Sequence, residues 1–316
     1  MPINYTLYRN NFSSADGNTR ISYYICMPNR RKPRSVVQIV HGMCDCFARY
    51  GELAEYLTAH GYVVCGHDHL GHGESLGEDG MRGYFAHRDG DRLLVEDTKK
   101  LTAIIRENIE GLSVTMMGFG IGSFVARRIM SEGGDQSKNP DAYVLVGTSG
   151  SDKRIKRLKG KAKRAAMLKG ETYRSKALLK AMLKPCVKSL DKGEAQNAWI
   201  TSDKERAARR FSDSCCNFIF TLRGFYDMFS LVESASEKRW AEHVKKDTPI
   251  LLMSGNSDPV GDSGKGVKEV YDNLVSLDCT DVKMILFKNA RHEIFNETCR
   301  NEVYASLVAW LREVNL

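Results

Sequence analysis

The sequence predicts an α/β protein with a mostly parallel sheet and helices on both faces, on three observations. Short apolar runs alternate with segments of helical period from Val36 onward, two alternating stretches precede them, and one basic helical insert, residues 151–246, interrupts the pattern. Buried strands separated by crossover helices imply parallel pairing, because parallel neighbours need a long return connection that a helix supplies. At 316 residues, 42% hydrophobic and 27% charged, the chain is able to bury a large core as one main domain.

Taken in order, Tyr5 to Phe12 and Arg20 to Met27 flank the turn-rich Ser13-Ser14-Ala15-Asp16-Gly17-Asn18 and read as an antiparallel hairpin. The buried strands expected next are Val36 to Val40, Tyr62 to Cys65, Val114 to Gly118, Tyr143 to Val146, Ile250 to Ser254 and Met284 to Phe287. Between them Tyr50 to His60, Arg92 to Ile109 and Ile121 to Ser131 carry helical period. Cys299 to Val314 closes the chain as a helix with Val303, Leu307, Val308 and Leu311 on one face. The expected division is a core of residues 1–150 and 247–316 with an inserted helical cap at 151–246.

The net charge of +8 is unevenly spread. Ser151 to Leu190 holds fourteen Lys or Arg against Asp152 and Glu171, a local +12 that leaves −4 for the remainder. Ile155, Leu158, Ala162, Ala165, Ala166, Met167 and Leu168 keep a rough helical period there, which predicts a cap helix with one apolar face. Its cationic side is either a solvated face or a surface for anionic lipid head groups and membranes. The run shows no nucleic-acid recognition motif and no interleaved aromatics, which counts against that partner.

No cofactor or metal is expected. The nine cysteines include the close pairs Cys44/Cys46 and Cys215/Cys216 but no CxxC spacing and no partner histidine cluster, so they read as reduced thiols. Met1 to Asn10 lacks a basic-then-apolar leader pattern, and no apolar run nears the roughly 18 residues of a membrane span. A soluble, cytoplasmic protein is expected.

Functional groups of an open α/β sheet gather beyond the carboxyl ends of its strands. The loops there read His41-Gly42-Met43-Cys44, Asp68 to Ser75, Gly118-Phe119-Gly120-Ile121-Gly122, Ser254 to Val260 and Asn289 to Glu293. A dinucleotide loop fits the third poorly: the glycine spacing differs from Gly-x-Gly-x-x-Gly, and the loop follows the third parallel strand instead of opening the first βαβ unit.

Together the loops resemble the α/β-hydrolase superfamily, most closely its monoacylglycerol lipase and bacterial lysophospholipase branch of serine aminopeptidase S33-like proteins. The resemblance rests on His41 to Tyr50, with Asp45, Arg49 and Tyr50 in place, on Asp68-x-x-Gly71-His72-Gly73-x-Ser75, on the elbow Gly118 to Gly122, on Phe220 to Asp227, and on Asp258 and His292 after successive strands. It implies an α/β-hydrolase fold and a serine-type acyl transfer in the order nucleophile, acid, histidine. Gly120 stands at the nucleophile's position, Asp258 would orient His292 as base, and the amides of Met43 and Ile121 would form the oxyanion hole. His41, Asp68, His69 and His72 are implied to brace these loops. Ser123, further into the helix, should point away from the elbow, and Cys44 and Cys46 have no base aimed at them.

Three functions remain open on sequence grounds. The chain is a hydrolase scaffold for monoacylglycerols, lysophospholipids or similar acyl esters, nearly inactive for want of a nucleophile; or a pseudoenzyme that binds a lipid, ester or protein; or an adaptor that uses its basic cap on membranes or nucleic acid.

Overall fold

The computed structural model describes residues 4–77, 80–132 and 139–314. The first three residues of the polar N-terminus, and any reading placed on them, lie outside that set. Eight strands form one sheet: β1 (Tyr5–Ser13), β2 (Arg20–Pro28), β3 (Val36–Val40), β4 (Val63–His67), β5 (Val114–Phe119), β6 (Ala142–Val146), β7 (Ile250–Gly255) and β8 (Val282–Phe287), in the spatial order β1-β2-β4-β3-β5-β6-β7-β8. The hairpin β1-β2 joins β4 antiparallel, and every later pair is parallel. The α/β architecture expected from the strand and helix periods is therefore present, with strand ends shifted by one or two residues.

Alternation along the parallel strands divides the core in two. Val36, Val114, Met116, Leu145 and Leu252 face the layer of α2 (Gly90–Asn108), α3 (Ile121–Ser131) and α7 (Leu222–Ser234). Val37, Ile39, Met117, Val144 and Leu251 face α1 (Gly51–Ala59) and α9 (Arg300–Glu313), where Val303, Leu307, Val308 and Leu311 are buried as their spacing predicts. α8 (Lys265–Ser276) packs on the edge made by β7 and β8.

Between β6 and β7 lie α4 (Lys153–Lys169), α5 (Lys176–Lys188), α6 (Lys204–Ser212) and then α7. Four N-caps start these helices: Asp152, Ser175, Asp203 and Thr221 each accept a bond from an amide in the first turn. α7 rests on α2, α3 and α4, so this segment is tied to the sheet's own helical layer.

One expectation for α4 is corrected. Leu158 and Ala162 are buried, with Ile155, Ala165 and Ala166 partly so, but Met167 and Leu168 are 79% and 85% exposed. At about 100° per residue these two lie roughly 120–140° around the helix from Ala162, outside the stripe that meets α7. They stand instead among the lysines of the outer face. No helix among the described residues is long and apolar enough to cross a membrane.

Candidate active site

β5 ends in a turn that leaves little room for side chains on its flanks. A Cβ at Gly118 would lie 2.3 Å from the carbonyl oxygen of Gly122, and one at Gly122 would lie 2.0 Å from that of Val40 on β3. Only glycine at both positions lets α3 start this close to β5 and β3. Between them Gly120 has φ 52° and ψ −117°, a conformation that costs a residue with a Cβ about 1–3 kcal/mol. Its own Cβ direction is open: a Cβ at 120 would sit 3.5 Å from His292 Nε2, in ordinary contact. A hydroxyl on that carbon is within hydrogen-bond reach of the imidazole.

Asp258, fully buried after β7, accepts from His292 Nδ1 at 2.9 Å, while its other oxygen accepts from the Val260 amide at 2.8 Å. His292, after β8, is held between the rings of Phe119 and Trp199, with centroids 5.0 and 5.7 Å away. Gly147 also makes room for it, since a Cβ there would come within 3.0 Å of His292 Cε1. Burial alone would lower the histidine's pKa, but the Asp258 carboxylate outweighs it and the imidazole is held above its ordinary value.

Met43 follows β3 and Ile121 opens α3. No hydrogen bond among the described residues uses either backbone amide. At the start of α3 such free amides sit at the positive end of the helix dipole. The chain thus brings five predicted positions, Gly120, Asp258, His292, Met43 and Ile121, to the carboxyl ends of β3, β5, β7 and β8.

The remaining polar residues brace this arrangement. His41 donates from Nδ1 to the Gly42 carbonyl at 2.8 Å and accepts the His69 amide on Nε2 at 2.9 Å. Asp68 accepts from the Phe47 and Glu74 amides and from the Tyr24 hydroxyl. His67, His69 and His72 are buried beside His41, and burial pushes the His67 and His72 pKa values down to about 3, so they stay neutral. Ser123 donates to the Gly120 carbonyl at 2.6 Å and is fully buried, so its hydroxyl belongs to the helix backbone. Cys44 donates its thiol to the Phe218 carbonyl, and burial pushes its pKa up to about 12. That thiol is no nucleophile at neutral pH.

Sequence reasoning missed a buried charge network behind the site. Arg49 pairs with Asp45 at 2.8 Å and with Glu293 at 2.7 Å; Arg210, on α6 of the insert, pairs with Glu293 at 2.6 Å. Burial would raise the Asp45 pKa, but the Arg49 and Arg210 guanidinium groups hold it down at about 2. Arg49 and Asp45 were visible as a motif, and Glu293 adjoins His292 in sequence. Arg210 carried no local signal. Among the described residues no group of three or more His, Cys, Asp or Glu has the geometry to hold a metal ion.

A family model described as serine aminopeptidase, S33, matches residues 31–299. The chain is 24% identical over 285 residues to a monoglyceride lipase homolog of monkeypox virus, covering 88% of this chain and 90% of that one. Among solved structures it is similar to a thermostable carboxyl esterase from Bacillus coagulans in complex with glycerol, with TM-score 0.90, 27% identity and 98% and 99% of the two chains covered. It shares its fold with a soluble variant of monoglyceride lipase from Saccharomyces cerevisiae, with TM-score 0.74, 20% identity and 98% and 95% covered.

The glycine contacts predict a ranking. Gly122→Ala forces a methyl group against backbone and should cost about 3 kcal/mol or more. Gly120→Ala meets only conformational strain, about 1–3 kcal/mol. Urea unfolding of the two variants checks this, and a Gly120→Ala cost equal to or above that of Gly122→Ala would contradict the packing described.

Proposed function

The chain belongs to the serine aminopeptidase S33 family of α/β-hydrolases and is of the monoglyceride lipase type, and from that premise we propose that its site binds the acyl group of monoacylglycerols, lysophospholipids or related esters but lacks the oxygen that would cleave them. One observation carries the reading. Residue 120 points at His292 Nε2 across a gap that fits a hydroxymethyl group, and it is glycine.

With a hydroxyl at 120 the chemistry closes. Its oxygen bonds to the ester carbonyl carbon while its proton passes to His292 Nε2. The carbonyl oxygen, now negative, is held by the Met43 and Ile121 amides. Asp258 stabilises the imidazolium through Nδ1. The carbon–oxygen bond to the alcohol then breaks, the alcohol leaves with the proton from His292, and water repeats the sequence on the acyl-enzyme. Without that hydroxyl the site offers only water as nucleophile. In a serine protease such as subtilisin, loss of the nucleophilic serine costs about a million-fold in turnover, with oxyanion binding retaining some acceleration over water. The intact Asp258–His292 pair and the two unengaged amides support a hydrolase scaffold and give binding without turnover as the expected behaviour of the chain itself.

The substrate surface is proposed to be an anionic membrane, approached through α4. Asp152 pairs with Arg154 and Glu233 with Lys159, but no ion pair among the described residues engages Lys156, Arg157, Lys161, Lys163, Arg164 or Lys169. Each such cation is worth about 1 kcal/mol near an anionic leaflet, and burying Met167 and Leu168 in the interface adds about 2 kcal/mol apiece. The first contribution falls with salt and the second does not.

Two outcomes are expected. Gly120→Ser hydrolyses monoacylglycerols or lysophospholipids at least a thousand-fold faster than the parent in a fatty-acid release assay; equal rates would overturn the missing-oxygen reading. In co-sedimentation, vesicles containing phosphatidylserine retain the chain while neutral phosphatidylcholine vesicles do not, and a Met167→Ser/Leu168→Ser variant loses the binding that survives high salt. Equal retention by both vesicles, or binding to RNA in preference to either, would rule out the membrane surface.

A further inference from the structure

Arg210 does more than neutralise a carboxylate. Its Nε donates to Glu293 at 2.6 Å, and its Nη2 lies 3.4 Å from the Met43 carbonyl and 3.2 Å from the Cys44 carbonyl. One guanidinium from the insert therefore grips both the loop that carries the Met43 amide and the residue next to His292. Its side chain is only 11% exposed, although α6 otherwise buries no residue.

The loop it grips needs holding. Cys44 has φ 50°, in the left-handed region that a residue with a side chain enters at a cost of about 1–2 kcal/mol. From the other side Asp45 accepts the Gly42 amide at 3.3 Å and the Tyr50 hydroxyl at 2.8 Å. The peptide between Met43 and Cys44 is thus fixed at its oxygen by Arg210 and at its flank by Asp45. The Met43 amide lies in the preceding peptide, whose Gly42 oxygen accepts from His41 Nδ1 at 2.8 Å, so Met43 is held at its own carbonyl by Arg210 and at the carbonyl before it by His41.

The charges make the same connection. Asp45, Glu293, Arg49 and Arg210 form a buried set with two charges of each sign. Removing Arg210 leaves a net negative charge beside His292, and a buried charge that loses its partner is costly. The ionised groups that act on the imidazole are Asp258 and Glu293, which favour its protonation, and Arg210, which opposes it.

We infer that Arg210 is a positioning residue by which the inserted helices set the oxyanion loop, so that the Met43 amide is aimed at the acyl oxygen only while α6 is seated on the core. Arg206 is built to seat it, since it caps onto Asp203 of the same helix and pairs with Glu52 of α1 at 2.7 Å. This rests on the acyl-ester reading above.

Two readouts test it. In the unaltered Gly120 background, the His292 imidazole is titrated by NMR. Arg210→Met removes the opposing cation and moves the midpoint upward, whereas Arg210→Lys keeps the charge and leaves it in place. In the Gly120→Ser background with a monoacylglycerol, Arg210→Lys cannot hold Glu293 and two carbonyls at once and lowers kcat by about tenfold or more with KM little changed, the pattern of a weakened oxyanion donor. An unmoved His292 midpoint in Arg210→Met, or a parental kcat in Arg210→Lys with only a lower Tm, makes Arg210 a brace of the fold and overturns the inference. If Gly120→Ser is inert, the acyl-ester reading fails by itself, and the titration still decides whether Arg210 acts on His292. Arg210→Lys keeps both tests available should Arg210→Met not fold.

Discussion

Everything at this site depends on how closely the backbone of the β5–α3 turn approaches β3. Because Gly118 and Gly122 have no side chains, the turn nests against the Val40 carbonyl, and α3 begins directly above the sheet. That contact fixes three things together: the direction in which residue 120 projects, the exposure of the Ile121 amide at the head of the helix, and the distance to His292 across the strand ends. Gly120 inherits a backbone conformation that disfavours side chains. A glycine there relieves about 1–3 kcal/mol of strain and, on the proposed reading, leaves out the attacking atom in the same step. The turn therefore keeps its geometry with no side chain at 120.

Around this turn the chain places charge in two separate layers. Asp258 and His292 form the inner pair, with the carboxylate fully buried and satisfied by a backbone amide as well as by the imidazole. Behind it, Asp45, Arg49, Glu293 and Arg210 form a neutral buried set that ties the β3 loop, the β8 loop and the inserted helices to one another. Buried ion networks of this kind add little net stability but hold geometry firmly, because removing one member strands the rest. They fit a role in orientation more than in strength.

The sheet was legible because each parallel strand is an apolar run of strand length bounded by turn residues, and because the amphipathic helices repeat at their own period. The five proposed positions could be picked out because each lies beyond the carboxyl end of one of those strands: Asp258 and His292 come after β7 and β8 much as Met43 follows β3. Two features were not. Met167 and Leu168 continue the composition of the α4 stripe but not its angle, and seven apolar residues in a rough period conceal a turn of more than about 100°. Arg210 lies 83 positions from Glu293 and 167 from Met43, within a helix where it is one cation among several. Nothing local distinguishes a cation that folds inward from those that stay in water; the difference is made by a carboxylate that only the tertiary fold brings near.

On the proposed reading, the acyl-transfer site lacks one oxygen atom and nothing else. Intact-mass measurement after exposure to a fluorophosphonate tests this without a choice of substrate, since the reagent bonds to a hydroxyl activated by the neighbouring histidine. One covalent equivalent is expected on Gly120→Ser, mapped to position 120 and abolished by a further His292→Ala, with no adduct on the parent chain. Labelling of the parent at another residue, or failure of the folded Gly120→Ser protein to label, would contradict it.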